Sequence, residues 1–416
     1  MFEKFGIRVP EILLPDEKYD LKQWAVIACD QFTSQPEYWD RVRSRVFDRP
    51  STLHITYPEA WLDQGDARIA SINETMLDYE KNVLTRAVKG MVLVEREIAT
   101  GSRIGLMAAV DLEKYDFSVG SQSLIRATEG TVLERIPPRV KIRENAALET
   151  PHILVLVDDP KRTLINPLYA ARDTFEKLYD FDLMLGGGHI RGWLVNRFDT
   201  VLPALEGLLE ASDGLLFAVG DGNHSLATAR QCWLNLKPTL TAEQRETHPA
   251  RFALVELTNV HDDALQFEPI HRVVFGVDPA ELSYDLGVWL GNQGMKLTVC
   301  TADRAMFRWA QGYRTLPYTI DRLNEPLPLA VLQRFLDEWL AKHENASIDY
   351  IHGEEATREL SSRPNTTGIL LPAMDKFILF EAVRKGGALP RKSFSMGEAE
   401  EKRYYLECRK ITGAPV

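Results

Sequence analysis

Residues 220–225 read Gly-Asp-Gly-Asn-His-Ser, between an apolar run (LLFAV, 215–219) and a helix-like pattern that starts at Ser225. An acid, an amide, an imidazole and a hydroxyl thus meet at one strand-to-helix joint. Gly220 and Gly222 allow positive φ and a close approach of backbone to ligand. The first N–H groups of a helix lack intrahelical partners, which makes its start an anion site. Asp221 can hold a magnesium ion or take a proton, and His224 can contact phosphate or act as an acid or base. The plainer reading is a turn with a helix cap, since Gly, Asp, Asn and Ser are the usual residues there. The stretch lacks the GxxxxGK[ST] pattern of a Walker loop.

A second cluster runs IRATEGTVLERIPPRVKIREN, residues 125–144 and Asn145. Glu129, beside Arg126 and Thr131, suits a general base held near a phosphate site. With Pro137-Pro138 taken to block a helix, a strand is expected to follow. Arg139, Lys141 and Arg143 would then share one face, either as a phosphate-binding stripe or as a solvated face paired with nearby Glu residues. Asp30, Gln31, Thr33 and Ser34 in CDQFTSQPEYW (29–39) would suit a small polar substrate, or would simply cap the next helix. Arg272, beside His271 in an apolar strand, needs a carboxylate or an anion as partner. Lys392, in LPRKSFSMG, sits in a loop that either grips phosphate or lies on the surface. LMLGGGHIRGWLV (183–195) reads as a hairpin turn with one imidazole, His189.

The elements that must position these residues alternate between strand and helix patterns. GMVLVERE, RIGLMAAVDL, HILVLVDD, LLFAVG, RFALVELTNV and FEPIHRVVFG read as strands, with Gly101-Ser102 as a turn between the first two. VLPALEGLLEAS, the stretch from Ser225 to Leu236, and PLAVLQRFLDEWLAKH read as helices. The fold class expected is α/β or α+β, with mixed sheets and flanking helices. A motif-bearing domain over 1–240 and a C-terminal α/β domain over 241–416 are expected, with the polar stretch KPTLTAEQRETHPA as connector.

The 416 residues carry 49 Lys+Arg against 60 Asp+Glu, a net charge of −11. That argues against a protein coating nucleic acid or an anionic membrane by bulk charge. The four cysteines, Cys29, Cys232, Cys300 and Cys408, form neither a zinc pattern nor a disulfide framework. No apolar run approaches a membrane span or a signal peptide. A cytoplasmic protein with a small-molecule substrate, no nucleic acid and no membrane partner is expected.

The segments CDQFTSQ, RATEGT, REN with LETPHI, LMLGGGHI, DGNHSLATA and PRKSFSMG together resemble a bacterial family catalogued as a domain of unknown function, of the DUF1015 type. Its Ala-Asp-Gly-His-His-Arg signature corresponds to Val219–Ser225 here, with Asp221 and His224 matching its Asp and second His. Asn223 stands for the first His and Ser225 for the Arg. RATEGT is similar to a His-Glu-x-Thr element, matched at Glu129 and Thr131. The signature is also similar to that of free serine kinases of the ParB/sulfiredoxin-like superfamily. The resemblance implies a ParB/sulfiredoxin-like element in the motif-bearing part and an ATP- or ADP-dependent kinase using Mg²⁺. Free L-serine, giving O-phosphoserine in serine metabolism, is the leading acceptor. It implies Glu129, Asp221 and His224 as catalytic residues and Asp221 as metal ligand. Arg126, Thr131, Arg139, Arg143, Gly222, Asn223, Ser225, Arg272 and Lys392 would bind nucleotide or phosphate, and Asp30, Gln31, Thr33 and Ser34 the acceptor. A nucleotide-binding regulatory protein without turnover and a phosphoester hydrolase are the other two readings.

Overall fold

The computed structural model describes residues 1–33, 35–325 and 327–413. The chain divides into two compact units: Met1–Gln266 with the chain from Gly397 on, and Phe267–Met396. This differs from the division at 240/241 expected from the sequence. The polar stretch after residue 237 contains a short helix, Ala242–Thr247, begun by a capping box of Thr241 and Gln244. It leads into a central strand of the first unit and does not separate domains.

The first unit is built on a ten-stranded sheet. In chain order its strands are β1 (Ile7–Arg8), β2 (Met91–Ile98), β3 (Gly101–Asp111), β4 (Tyr115–Asp116), β5 (Ile125–Ala127), β6 (Leu154–Val157), β7 (Glu176–Asp182), β8 (His189–Val195), β9 (Phe217–Asp221) and β10 (Phe252–Asn259). Their order in space is β7-β8-β2-β3-β10-β6-β9-β5-β4, with β1 on β3. The pairs β10–β6, β9–β5 and β5–β4 are parallel, and the others are antiparallel. The mixed sheet with flanking helices agrees with the fold class read from the sequence.

Period-two alternation sends successive side chains to opposite faces. Val92, Val94 and Met107 enter one core, whereas Met91, Leu93, Leu106 and Ala108 enter the other. That is why Met91–Val94 of β2 and Leu106–Val110 of β3 are apolar at every position. The second core is covered by two helices, α2 (Val201–Ala211) and α3 (Asn223–Leu236), through Leu205, Leu208, Leu226, Ala229 and Trp233. The other face is covered by helices at 36–46 and 65–82, and by the returning segment from Tyr404 to Ile411. This return is pinned by short ladders, Tyr404-Tyr405 on Val26-Ile27 and Arg409-Lys410 on Leu148-Glu149.

Two local expectations are corrected. Residues 136–143 form a helix, α1 (Ile136–Arg143), not a strand, because Pro137 and Pro138 fall in its first turn. Proline has no N–H to lose there, and its fixed φ suits the start of a helix. The turn between β2 and β3 falls at residues 99–100, two residues earlier than Gly101-Ser102, which already belong to β3.

The second unit holds a seven-stranded antiparallel sheet. Its core gathers Leu282, Leu286 and Leu290 from the helix Pro279–Asn292 with Val331, Leu332, Phe335 and Leu336 from the expected amphipathic helix, Pro328–Leu340. The stretch 386–397, read as loop, contributes the strand Phe394–Met396 to this sheet.

Within the first unit, Arg403 lies buried between two carboxylates, 2.8 Å from Glu256 and 2.5 Å from Glu407. Burial alone would lower its pKa, but the Glu407 and Glu256 charges outweigh that and raise it. Removing one partner of such a set strands the remaining charges in a low dielectric. Arg403→Met is therefore expected to cost about 3–5 kcal/mol in urea unfolding. Lys4→Ala, which removes an exposed pair with Glu206, should cost less than about 1 kcal/mol. Equal losses from the two variants would refute the assignment.

Candidate functional site

Parallel pairing of β5 with β9 sets Ala127 opposite Val219. Both strands end at the same edge of the sheet, so Glu129 and Asp221 leave neighbouring carboxyl ends. Ligands of open α/β sheets bind at such ends. Thr128 ties the two together by donating its hydroxyl to the Val219 carbonyl at 2.6 Å. On the other side of β9, antiparallel β6 sets Leu154 opposite Asp221. His152, two residues before β6, therefore reaches the same place.

The turn after Asp221 is made by Gly222 at φ 79°, just before α3. A Cβ there would lie 2.9 Å from Ile153 Cγ1, so both conformation and space demand glycine. The first intrahelical bond runs from the Leu226 N–H to the Gly222 carbonyl, at 3.0 Å. His224 Nε2 accepts the Val132 N–H at 3.2 Å, which fastens the loop after Glu129 over the start of α3. In this corner two buried oxygens, Thr131 Oγ1 and Asn223 Oδ1, have no hydrogen-bond partner among the described residues. Buried polar atoms of this kind call for a bound group or water.

Asp221 is held in its ionised form. Its Oδ1 accepts the Gly222 N–H at 2.8 Å, and its Oδ2 lies 3.1 Å from Lys402 Nζ. Burial pushes its pKa up. The charges of Lys402 and His152, with the two hydrogen bonds, more than reverse this and hold it below the usual value. His152 Nε2 lies 3.3 Å from Ser225 Oγ and 3.9 Å from Asp30 Oδ2, and its Nδ1 lies 3.0 Å from the Tyr405 hydroxyl. Asp30 Oδ1 accepts from the Gln31 amide at 2.9 Å, and the Thr33 hydroxyl donates to the Asp30 carbonyl at 3.3 Å. Ser34 lies outside the described residues.

Of the residues picked out from the sequence, Asp30, Glu129, Thr131, Asp221, Gly222, Asn223, His224 and Ser225 are thus brought to one edge of one sheet. The arginines named from the sequence have other partners as well. Arg126 is buried and donates to the Ser123 and Gly214 carbonyls. Arg139 pairs with Glu59, Lys141 with Asp66 and Arg143 with Glu149. The basic stripe is a set of ion pairs on a helix, because α1 turns these side chains toward acidic neighbours. Arg272 and Lys392 belong to the second unit. Arg272 is buried there, donating to Gln333 and to the Ile270 carbonyl under the Tyr350 ring. Lys392 lies at a left-handed φ of 58°. His271 accepts the Leu371 N–H, and burial pushes it down to about 4, as befits a core histidine. His189 sits in the expected hairpin between Asp180 and Asp182.

Three residues of the cluster were not singled out: His152, Lys402 and Tyr405. His152 carried the one available signal, an imidazole just ahead of a buried strand. Lys402 stands 181 residues beyond Asp221, and no local spacing relates them.

The family model described as "Protein of unknown function (DUF1015)" matches residues 12–326. The chain belongs to the DUF1015 family. The match ends before PRKSFSMG, so it is shorter than the nearly full-length likeness read from the motifs. No curated protein matches the sequence. Among solved structures, the chain is similar to a free serine kinase mutant in complex with ADP, at 11% identity and a TM-score of 0.40, covering 74% of this chain and 92% of that one. A conserved hypothetical protein from Pyrococcus furiosus gives 10% identity and a TM-score of 0.38, over 74% and 95% of the two chains. SbnI from Staphylococcus aureus, truncated at its C-terminus, gives 14% and 0.37, over 74% and 87%. No helix among the described residues is long and apolar enough to cross a membrane.

Lys402→Met in this DUF1015 protein tests the electrostatics of the site. Asp221 has a depressed pKa when folded. It therefore contributes stability above its unfolded value, about pH 4, and loses it as pH falls through the folded value. The variant should lose about 1–3 kcal/mol near neutral pH, and the deficit should shrink below about pH 4. A deficit independent of pH, measured by urea unfolding at both ends of that range, would remove Lys402 as the partner of Asp221.

Proposed function

We propose that the protein transfers a phosphoryl group from ATP or ADP to a small hydroxyl metabolite, with free L-serine as the leading acceptor. The observation that carries this reading is the meeting of Glu129 and Asp221 at adjacent strand ends, with Lys402 on Asp221 and α3 starting at once. Phosphoryl transfer asks mainly for positioning and for neutralisation of phosphate charge. The start of α3 and Lys402 supply fixed positive charge at the same point. Thr131 Oγ1 and Asn223 Oδ1, both without partners among the described residues, are suited to a polar ligand held there. Asp30, half-buried with Gln31 and Thr33 about it, suits the ammonium of an amino-acid acceptor.

Glu129 is the base for the acceptor hydroxyl. It stands one residue beyond Thr128, whose hydroxyl is locked to β9, and so is held beside the start of α3. His224 positions the Glu129 loop through Val132. Lys402 would draw the transferring phosphate toward Asp221 and offset its charge. Among the described residues no three His, Cys, Asp or Glu side chains gather to hold a metal ion. A magnesium ion would therefore take one carboxylate, Asp221, whose oxygens each keep a second lone pair, and otherwise phosphate and water oxygens. Such an ion supplies charge neutralisation of the phosphates.

The test is a mass-spectrometric search for O-phosphoserine after incubation with Mg²⁺, ATP or ADP, and L-serine within a panel of hydroxyl metabolites. Phosphoserine formed by the native protein and lost in Asp221→Ala is the expected result. Glu129→Gln should lower turnover roughly 10²–10⁴-fold with nucleotide affinity nearly intact. Nucleotide binding that raises thermal stability, with no product from any acceptor, would select the regulatory reading instead. Phosphate released without an acceptor would select the hydrolase.

A further inference from the structure

Ser225 stands where the family signature has arginine. Its hydroxyl cannot neutralise phosphate as a guanidinium would, and it has a different set of neighbours. Ser225 Oγ lies 3.3 Å from His152 Nε2, and the Tyr405 hydroxyl lies 3.0 Å from the other ring nitrogen. A hydroxyl, a base in reach of it, and a third group orienting the base are the parts of an activated nucleophile.

Two tautomers of His152 fit these contacts, and the productive one carries its proton on Nδ1, toward Tyr405. The Tyr405 oxygen accepts the Cys29 N–H at 3.1 Å and directs its own proton to Cys29 Sγ at 3.0 Å. Burial pushes the Cys29 thiol up to about 12, so it stays neutral. Burial, with Cys29 and Asp30 near, also pushes the Tyr405 phenol well above its ordinary value. A neutral phenol that gives its one proton to sulfur keeps a lone pair for a hydrogen on His152 Nδ1. The proton on Nδ1 leaves the Nε2 lone pair facing Ser225. The His152 ring also packs edge-on against Tyr405, centroids 5.5 Å apart, which fixes its plane. Asp30 Oδ2 lies 3.9 Å from the same Nε2.

We infer that Ser225 is a nucleophile activated by His152 and oriented through Tyr405, and that it accepts the phosphoryl group before the acceptor does. This rests on the phosphoryl-transfer reading above. In the first step Ser225 Oγ bonds the terminal phosphorus of a nucleoside triphosphate, and its proton passes to His152 Nε2. The bond from phosphorus to the bridging oxygen breaks, and its electron pair leaves with the nucleoside diphosphate. In the second step the acceptor hydroxyl attacks that phosphorus and gives its proton to Glu129. Ser225 Oγ departs and recovers its proton from His152. The motif position that lacks a cation thus serves as a covalent way-station.

The full chain is incubated with ATP and Mg²⁺ without acceptor, quenched, and mapped by peptide mass spectrometry. A phosphate on Ser225 is expected, absent in Ser225→Ala, and discharged when L-serine is added. His152→Asn should slow its formation roughly 10²–10⁴-fold, with the thermal midpoint of each variant near that of the native protein. In parallel, a fluorophosphonate probe, which needs no nucleotide, should label Ser225 in the native protein and not in His152→Asn. Serine phosphorylation by Ser225→Ala at the native rate overturns the inference and leaves the kinase reading standing. No nucleotide turnover by the native protein, with Ser225 still labelled by the probe, sinks the kinase reading and supports the nucleophile. No labelling of Ser225 by either reagent overturns the nucleophile.

Discussion

An arginine with almost no access to water governs the functional end of the first unit. Arg403 spans Glu256, in the middle of the sheet, and Glu407, four residues on in its own segment. Tyr179 adds a hydroxyl to Glu407 at 2.5 Å. Two more buried arginines hold the backbone on either side. Arg96 donates to the Gly187, Glu400 and Lys402 carbonyls, and Arg103 to that of Glu401. Burying these charges is costly, and an apolar set of the same shape would serve stability as well. What such pairing supplies is register. A one-residue slip of the return segment would leave Arg403 and two carboxylates unmatched, and Lys402 and Tyr405 are fixed by being its near neighbours.

The chemistry follows from that placement. A strongly acidic protein has no general attraction for phosphate, so attraction must be local. In the proposed phosphoryl-transfer site, one ammonium, one helix start and one imidazole would supply it, each held by backbone geometry. The acids of the site are kept in distinct surroundings. Asp221 is clamped by a cation and an N–H, Asp30 lies near an imidazole and an amide, and Glu129 rides on a loop fastened by His224. The many surface arginines are spent on neighbouring carboxylates, which is the common fate of exposed charge.

Much of this was legible in the sequence because it depends on local order. Unbroken apolar runs gave the buried strands, and the Gly-Asp-Gly-Asn-His-Ser joint announced a strand, a tight turn and a helix. The joint then proved to lie beside Glu129 because two parallel strands end together, which no local pattern encodes. The proline pair at 137–138 misled, since proline breaks a helix in its interior and suits one at its first turn. Lys402 and Tyr405 were hidden for another reason. They lie beyond a 130-residue unit, and their meeting with Asp221 and His152 is decided by long-range ion pairs. The polar connector misled because hydrophilic composition also describes a short capped surface helix.

The insertion of the second unit between β10 and the return segment has a consequence for the making of the protein. Asp221 and Lys402 are separated by 181 residues. At a ribosome's pace of about 5–20 residues per second, the carboxylate waits roughly 9–36 s for its cation. Once made, Glu256 likewise waits for Arg403, and the core face later covered by Tyr404, Tyr405 and Leu406 stays open. The cluster around Asp221 and His152 is therefore incomplete until Tyr405 has been made. Any message cut short within that span yields a product without the lysine or the tyrosine, in which Asp221 lacks its cation.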